Sequence, residues 1–435
     1  MGRTLLYQIQ DKVMEMTKKA ATLGLVLCFL ASTTLAAEGP VPQGVPHLNH
    51  VFLIMMENHG YSQIKGNPNA PFINRLARSA NSATNYFAIG HPSLTNYLEV
   101  VGASNFGVQS DNDPDWHNAA CTTNLASGTP NTDNPPSPAI CPIAGSGTDA
   151  ATPAVDMTNE TQGPPGLNNI DGVRSVPAAA NTSGKTIADQ LVAAGLSYKS
   201  YQESLPLEGA DLVTFSDGEF TNLTDFSKIN PQLNPPLSQS DIVKLYAAKH
   251  NPFVYFQNVQ QDADPRNSLK NTVDFAGPKG LYADLATGRV PAFSFIAPNQ
   301  CNDQHGRGNA GAFCSYDPLS NGTQDGLNPA LILQGDRTVQ RIVTAIKKSP
   351  AWKDGQNAII VMWDENDYST APNTNQVMFI VDTNYGVHGA PSAQFYTHYS
   401  ALKSLEAGFG LPCLNHACDA GVSVMSDLFA GSGGK

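Results

Sequence analysis

Five short runs of apolar, β-branched or aromatic residues punctuate the chain, and each gives way to polar or acidic residues. They are His50–Met56 (HVFLIMM), Pro252–Val259 (PFVYFQNV), Ala292–Ala297 (AFSFIA), Ala358–Trp363 (AIIVMW) and Gln376–Val381 (QVMFIV). Strands without polar alternation fit a sheet that is covered on both faces. Helix-like stretches lie between them at Pro71–Arg78, Thr186–Ala194, Asp241–Lys249 and Arg337–Lys348. Asp336 is the expected N-cap of the last, and Lys347-Lys348 suits its C-terminal dipole. Thr186–Ala194 is expected to be capped by Ser183 or Thr182 and stopped by Gly195. The alternation predicts an α/β domain, doubly wound, with a mostly parallel central sheet and helices on both faces.

Residues 104–185 depart from this pattern, being dense in Gly, Pro, Asn, Asp, Ser and Thr with little periodicity. So long an irregular stretch inside a domain is either disordered or a functional lid. Cys121 and Cys141 within it favour an ordered, stapled insertion. The expected organisation is therefore a single domain over 38–435 carrying this insertion, with no internal repeats.

Composition narrows the classes. The chain has 435 residues and is 41% hydrophobic, which rules out wholesale disorder. Only 14% of residues are charged, so the surface must be rich in uncharged polar side chains. Formal charge is 25 − 37 = −12, with no basic cluster outside the N-terminus, which excludes a duplex nucleic-acid binder working by phosphate neutralisation. A phosphate group would have to be met locally, by metal, backbone N–H groups or a helix N-terminus.

At the N-terminus, Lys18 and Lys19 precede an apolar run from Ala20 to Leu35, and Ala36-Ala37 supplies small residues for cleavage. This is the order of a secretory signal peptide over 1–37. A membrane anchor needs about 20 apolar residues, and Ser32, Thr33 and Thr34 interrupt this shorter run; no transmembrane anchor is expected. After cleavage six cysteines remain: Cys121, Cys141, Cys301, Cys314, Cys413 and Cys418. An even number in an exported protein predicts disulfides, with sequential pairing favoured because it closes three short loops. Zinc-type CxxC spacing is absent.

Ligands of an open parallel sheet bind beyond the carboxyl ends of its strands. The first strand runs into Glu57-Asn58, the Ala292–Ala297 strand into Asn299, Asn302, Asp303 and His305, and the Ala358–Trp363 strand into Asp364-Glu365. Any one of these could be a solvated carboxylate. Three strands of one sheet ending this way predict a divalent metal site. The segment Gly90-His91-Pro92-Ser93-Leu94-Thr95-Asn96-Tyr97 reads either as a helix start with Ser93 as N-cap, or as a serine hydroxyl at a helix N-terminus that favours an anion. Such a serine held against a metal would be an activated nucleophile. No Gly-x-Ser-x-Gly elbow occurs, which disfavours an α/β-hydrolase triad.

The segments MMENHGY, GHPSLTNYLEVVGAS, SYKSYQESLP, NPFVYF, PNQCNDQHG, MWDEND and FYTHYSALKSLEAGFGLP occur in this order between about His50 and Cys413. In this the chain resembles the bacterial and fungal secreted phosphoesterases, which include acid phosphatases and phosphatidylcholine-hydrolysing phospholipases C, within the alkaline phosphatase superfamily. The resemblance implies Glu57, Asn58, Asp364 and Glu365 as metal ligands together with Ser93, the nucleophile. It implies that Asn96 contacts a phosphate oxygen and that His91 orients the transferred group, although Thr95 stands where the superfamily's phosphodiesterases carry proline. Asp303, His305 and His398 match a second-metal set, but with Asp-x-His in place of Asp-x-x-x-His. Otherwise His305 and His398 would contact phosphoryl oxygens or protonate the leaving group. Tyr201 and Glu203, in the YQES segment, are read as near-site packing or substrate contacts. His59, beside the Glu-Asn pair, is read either way; His47, His50, His117, His250, His388 and His416 are assigned surface or core roles.

The expectation from the sequence is thus an exported, metal-dependent phosphoric ester hydrolase of the acid phosphatase type, passing through a phosphoserine and acting on a small phosphate ester or a phospholipid. A phospholipase C is the alternative, placed second because the sequence ends soon after its GLP segment. A non-catalytic exported metal or ligand binder is a further alternative.

Overall fold

The computed structural model describes residues 38–106, 108, 111–114, 140–144, 146–147, 182–205, 213–214, 245–306, 314, 328–366 and 374–429. All of these belong to one unit, Ala37–Lys435. The expected signal peptide lies outside the described residues, as does most of the 104–185 insertion.

Eight strands form the central sheet: β1 (His50–Met56), β2 (Asn81–Ala83), β3 (Tyr198–Gln202), β4 (Thr272–Val273), β5 (Phe293–Ala297), β6 (Asn357–Trp363), β7 (Phe379–Thr383) and β8 (Pro391–Ser392). Their order is β8-β2-β7-β6-β1-β5-β3-β4. Only β7 runs against the rest, pairing antiparallel with both β6 and β2. The apolar runs decide where the centre lies. Every residue of β5 and β6, and all of β1 beyond His50, is buried, as a sheet covered on both faces requires.

The principal helices are α1 (Pro71–Ser79), α2 (Ser93–Gly102), α3 (Ile187–Ala193), α4 (Leu281–Thr287), α5 (Pro329–Lys348) and α6 (His398–Phe409). They pack as two groups, α1 and α4 against α5, and α2 and α3 against α6. The predicted doubly wound architecture is the one observed. Among the described residues no helix is long and apolar enough to cross a membrane.

Four local expectations are corrected. Pro252–Val259 is not a strand but a 3-10 turn, Pro252–Tyr255, followed by a short helix, Gln257–Gln260. A strand would send alternate side chains to opposite faces. Here Val254, Tyr255 and Phe256 all enter a second apolar cluster with Leu94, Leu98 and Phe106. Asp241–Lys249 is not a helix where it is described; Ala248–His250 is a single 3-10 turn. Thr186, rather than Ser183 or Thr182, caps α3, accepting from Ala188 N–H.

Helix α5 begins at Pro329, capped by Asn328, so Asp336 lies inside it. The Asp336 carboxylate instead accepts the Phe72 and Ile73 N–H groups at 3.1 and 2.7 Å, capping the free N-terminus of α1. Of the expected disulfides, Cys301–Cys314 and Cys413–Cys418 are formed. Cys141 is disulfide-bonded too, and its expected partner Cys121 lies outside the described residues.

Candidate active site

The site begins with strand register. β1 lies between β5 and β6, parallel to both, with Met56 beside Trp363. The residues leaving these three strands therefore emerge together. The main chain continues the pairing past the strand ends, with Asp364 N–H donating to the Met56 carbonyl and Glu57 N–H to that of Asp303. The chain then turns sharply at Asn58, which is left-handed (φ 51°), a conformation asparagine tolerates better than most residues. Asn58 N–H donates to Asp364 Oδ1 at 3.0 Å and so fastens the two acidic loops to each other.

Ser93 arrives from the other direction, as the first residue of α2. It is not the N-cap, which is Pro92. Its buried hydroxyl oxygen lies 3.1 Å from Glu57 Oε2 and 3.1 Å from Glu365 Oε1. A single hydroxyl proton can serve only one of these carboxylates at a time. Asn96, one turn further, donates to Glu365 Oε2 and to the Gly90 carbonyl, and accepts the Ile89 and Gly90 N–H groups. His91 Nδ1 lies 2.9 Å from Glu365 Oε2. Asn375 joins the same two loops, donating to the Gly90 carbonyl and accepting from Asn366 N–H.

Glu57, Asp303, Asp364 and Glu365 are all buried. Burial and then the charge of Glu57 push the Asp364 and Glu365 carboxyls far above the usual carboxylate range. Asp364 Oδ2 is buried and accepts no hydrogen bond from the described residues. Hard oxygen donors crowded in one cleft, with acceptor capacity left over, fit a divalent cation. Of the predicted ligands, Ser93 is brought against Glu57 and Glu365, and the Asn58 N–H ties Asp364 to the same turn.

The second-metal set is not assembled as the resemblance implied. His398 opens α6 with its ring between the Tyr86 hydroxyl, 2.8 Å from Nδ1, and the Asp364 carbonyl, 2.7 Å from Nε2. A carbonyl only accepts, so Nε2 carries the proton and Nδ1 accepts from Tyr86. Both nitrogens are spent on protein groups, and burial lowers the ring to about 4, leaving it neutral. His398 thus braces the Asp364 loop. Glu57, His250 and His305 form instead a group close enough to share an ion.

His250, which the sequence assigned a surface or core role, stands between two site carboxylates, with Nε2 3.0 Å from Glu57 Oε1 and Nδ1 3.3 Å from Asp303 Oδ2. Burial opposes its charge, but Glu57 and Asp303 push it up to about 10. Its charge and that of Lys249 hold Glu57 below the ordinary range despite burial. Burial and the Glu57 charge raise Asp303 to about 7. His305 donates from Nδ1 to the Gly306 carbonyl, and its main-chain N–H donates to Asp303 Oδ1. Burial and Lys249 lower His305 to about 3, so it is a neutral base or ligand rather than a leaving-group acid.

Glu203 and Tyr201 lie outside the ring of groups around Ser93. Glu203 accepts from Asn299 N–H and Asn302 Nδ2, bracing the loop that carries Asp303. Tyr201 donates to Asp284 on α4. His59 Nδ1 faces the Glu57 carbonyl at 2.9 Å. Lys249, unnoticed in the sequence, places its ammonium 2.9 Å from Asp111 Oδ2, 3.3 Å from His305 Nε2 and 3.5 Å from Ser93 Oγ. A lysine beside a histidine just before a Pro-aromatic run was the only signal for it.

Residues 66–412 match the Phosphoesterase family. The chain belongs to that family. As a phosphoesterase it hydrolyses phosphoric esters, in keeping with the resemblance carried by its ordered segments. It is 24% identical over 426 residues to a phosphatidylinositol-3-phosphatase of Mycobacterium tuberculosis, covering 96% of this chain and 97% of that protein. An acid phosphatase of Aspergillus fumigatus is 22% identical over 397 residues, 91% of this chain but only 62% of the fungal protein's length. Among solved structures, a protein of the alkaline phosphatase superfamily from Vibrio parahaemolyticus is similar over 88% of this chain and 72% of its own, with TM-score 0.45 and 12% identity.

Proposed function

We propose that this phosphoesterase is an exported, metal-dependent phosphomonoesterase acting through a covalent phosphoserine at Ser93. The observation that carries the reading is the hydroxyl of Ser93, buried at the start of α2 and 3.1 Å from carboxylates of two different strand ends. Two relatives that cover most of this chain are named phosphatases, which supports the monoester class. Disulfides support export.

A divalent cation held by Glu57, Asn58, Asp364, Glu365 and Ser93 would offset their charge and lower the pKa of the serine hydroxyl. The residues do the rest. A site carboxylate takes the hydroxyl proton as Ser93 Oγ attacks phosphorus, and the same carboxyl returns that proton to the ester oxygen as the P–O bond breaks. Water then attacks the phosphoserine, phosphate departs and the hydroxyl is restored. His91 and Asn96 keep Glu365 in position throughout, and His305, neutral, faces the same space.

The test is twofold. Wild type should hydrolyse p-nitrophenyl phosphate and not p-nitrophenylphosphorylcholine; the reverse preference would make it a phospholipase C, and neither activity a binder. Acid-quenched turnover should leave phosphate on the peptide containing Ser93, and Ser93→Ala should lose activity by orders of magnitude while folding and keeping its metal. Loss of the nucleophile in a hydrolase triad costs on the order of a million-fold. Activity of Ser93→Ala within about tenfold of wild type would replace the phosphoserine with directly attacking water.

A further inference from the structure

An ammonium group has three N–H donors. On Lys249 two of them have partners at bonding distance: Asp111 Oδ2 at 2.9 Å and His305 Nε2 at 3.3 Å. The third direction leads to Ser93 Oγ, 3.5 Å away, which is beyond a strong N–H···O bond. The Lys249 side chain is largely buried, 13% exposed, so its charge is poorly screened there. Asp111 is itself tied down, because its Oδ1 accepts Leu94 N–H at 3.0 Å on the residue next to Ser93. The cation is thereby anchored to the same helix start as the serine.

We propose that Lys249 is a substrate-binding residue that grips a non-bridging phosphoryl oxygen of the group on Ser93, and that Asp111 is its positioning residue. A phosphoryl group bonded to Oγ places its oxygens nearer the ammonium than the hydroxyl, whose contact with it is long at 3.5 Å. There the third N–H makes a charge-assisted bond to an anionic oxygen, a stronger contact than the one to the free serine. The ammonium also lies close enough to Glu57 and Glu365 to feel their charge, so it adds positive charge beside the same hydroxyl that they contact. Neither residue belongs to the expected ligand set. The inference rests on the phosphatase reading only in placing a phosphoryl group at Ser93.

Calorimetric titration with inorganic phosphate on the metal-loaded protein tests it without turnover. Lys249→Met is expected to weaken phosphate binding at least about tenfold, as loss of one charge-assisted bond should, while Lys249→Arg keeps most of it. Asp111→Asn is expected to weaken it less, and to add nothing in the Lys249→Met background. Should Lys249→Met fold poorly because Asp111 is left unpaired, the double variant Lys249→Met/Asp111→Asn removes both charges and is expected to show the same weak binding. In steady state the Lys249→Met loss should fall on KM for p-nitrophenyl phosphate as well as on kcat. Phosphate affinity of Lys249→Met or of the double variant within twofold of wild type, at wild-type metal content, overturns the inference. Absence of phosphate binding in wild type would instead overturn the phosphatase reading beneath it.

Discussion

Asn96 holds Glu365 from behind: its Nδ2 donates to Glu365 Oε2 at 3.0 Å, one turn along α2 from Ser93, whose Oγ lies 3.1 Å from the other oxygen of the same carboxylate. The family resemblance gives this amide a phosphate oxygen to contact. In the structure both its ends are already engaged, by Glu365, the Gly90 carbonyl and the N–H groups of Ile89 and Gly90. Asn96→Ala would take the Asn96 acceptor from the buried Ile89 and Gly90 N–H groups, at about 1–3 kcal/mol each. It is expected to lower the melting temperature and turnover together, with little change in KM. A raised KM at unchanged melting temperature would mean that Asn96 touches the substrate instead.

The carboxylates make the second prediction. Glu57, Asp364 and Glu365 are buried together; burial and then the charge of Glu57 raise the cost of ionising Asp364 and Glu365. A bound cation removes that cost, and it binds the folded state alone, so chelation should abolish activity and lower the melting temperature. Asp364→Ala is expected to lose the metal by elemental analysis. A demonstrably metal-free sample with full activity would contradict this.

The sheet and one half of the site were legible because continuous apolar runs specify buried parallel strands, and the residues just past the carboxyl ends of such strands form the ligand edge. Glu57, Asp303, Asp364 and Glu365 are found by that rule alone. His250 and Lys249 are not, because they come from a 3-10 turn, Ala248–His250, that no periodicity announces. Tertiary packing also overrode the Pro252–Val259 run, whose aromatic residues fill a second cluster instead of a strand. Asp336 misled for a related reason: its carboxylate caps a helix 264 residues away in sequence, a partner that only the fold reveals.

Glu406 gives a pH-dependent prediction away from the site. It is buried in α6, and burial pushes its carboxyl well above the usual range, against the pull of the Leu414 main chain and Lys403. In the unfolded chain the group ionises near 4.5. Its folded pKa is therefore raised, so the unfolded state releases the proton first and stability falls as pH rises above the unfolded value. Glu406→Gln removes the ionisation without changing shape. It should melt like wild type near pH 4 and above it, by at least about 2 °C, at pH 8. A melting temperature equally lowered at both pH values would show that the carboxyl proton makes a bond the amide cannot.

His250 decides between two ways of building the same centre. Its ring is close enough to Glu57 and His305 to share an ion with them, and it also lies 3.0 Å from Glu57 and 3.3 Å from Asp303, as a cation between two anions would. A metal ligand must be a neutral imidazole, whereas the two carboxylates push His250 up to about 10 in spite of burial. The bridging role therefore predicts that His250→Gln keeps its metal and binds it at least as tightly, because a neighbouring positive charge has gone. The metal-free variant should lose about 3–5 kcal/mol, the usual cost of removing one partner of a buried ion pair. With the folded pKa above the unfolded value of 6.5, the contribution of His250 is complete below pH 6.5 and disappears as pH rises through about 10. Urea unfolding of the two metal-free proteins should show a gap that narrows as pH rises toward 10, and ring NMR of metal-free wild type should still report imidazolium at pH 8. If His250→Gln instead loses the metal while its metal-free stability matches wild type, His250 is a ligand, and the positive charge that balances Glu57 and Asp303 comes from the ion.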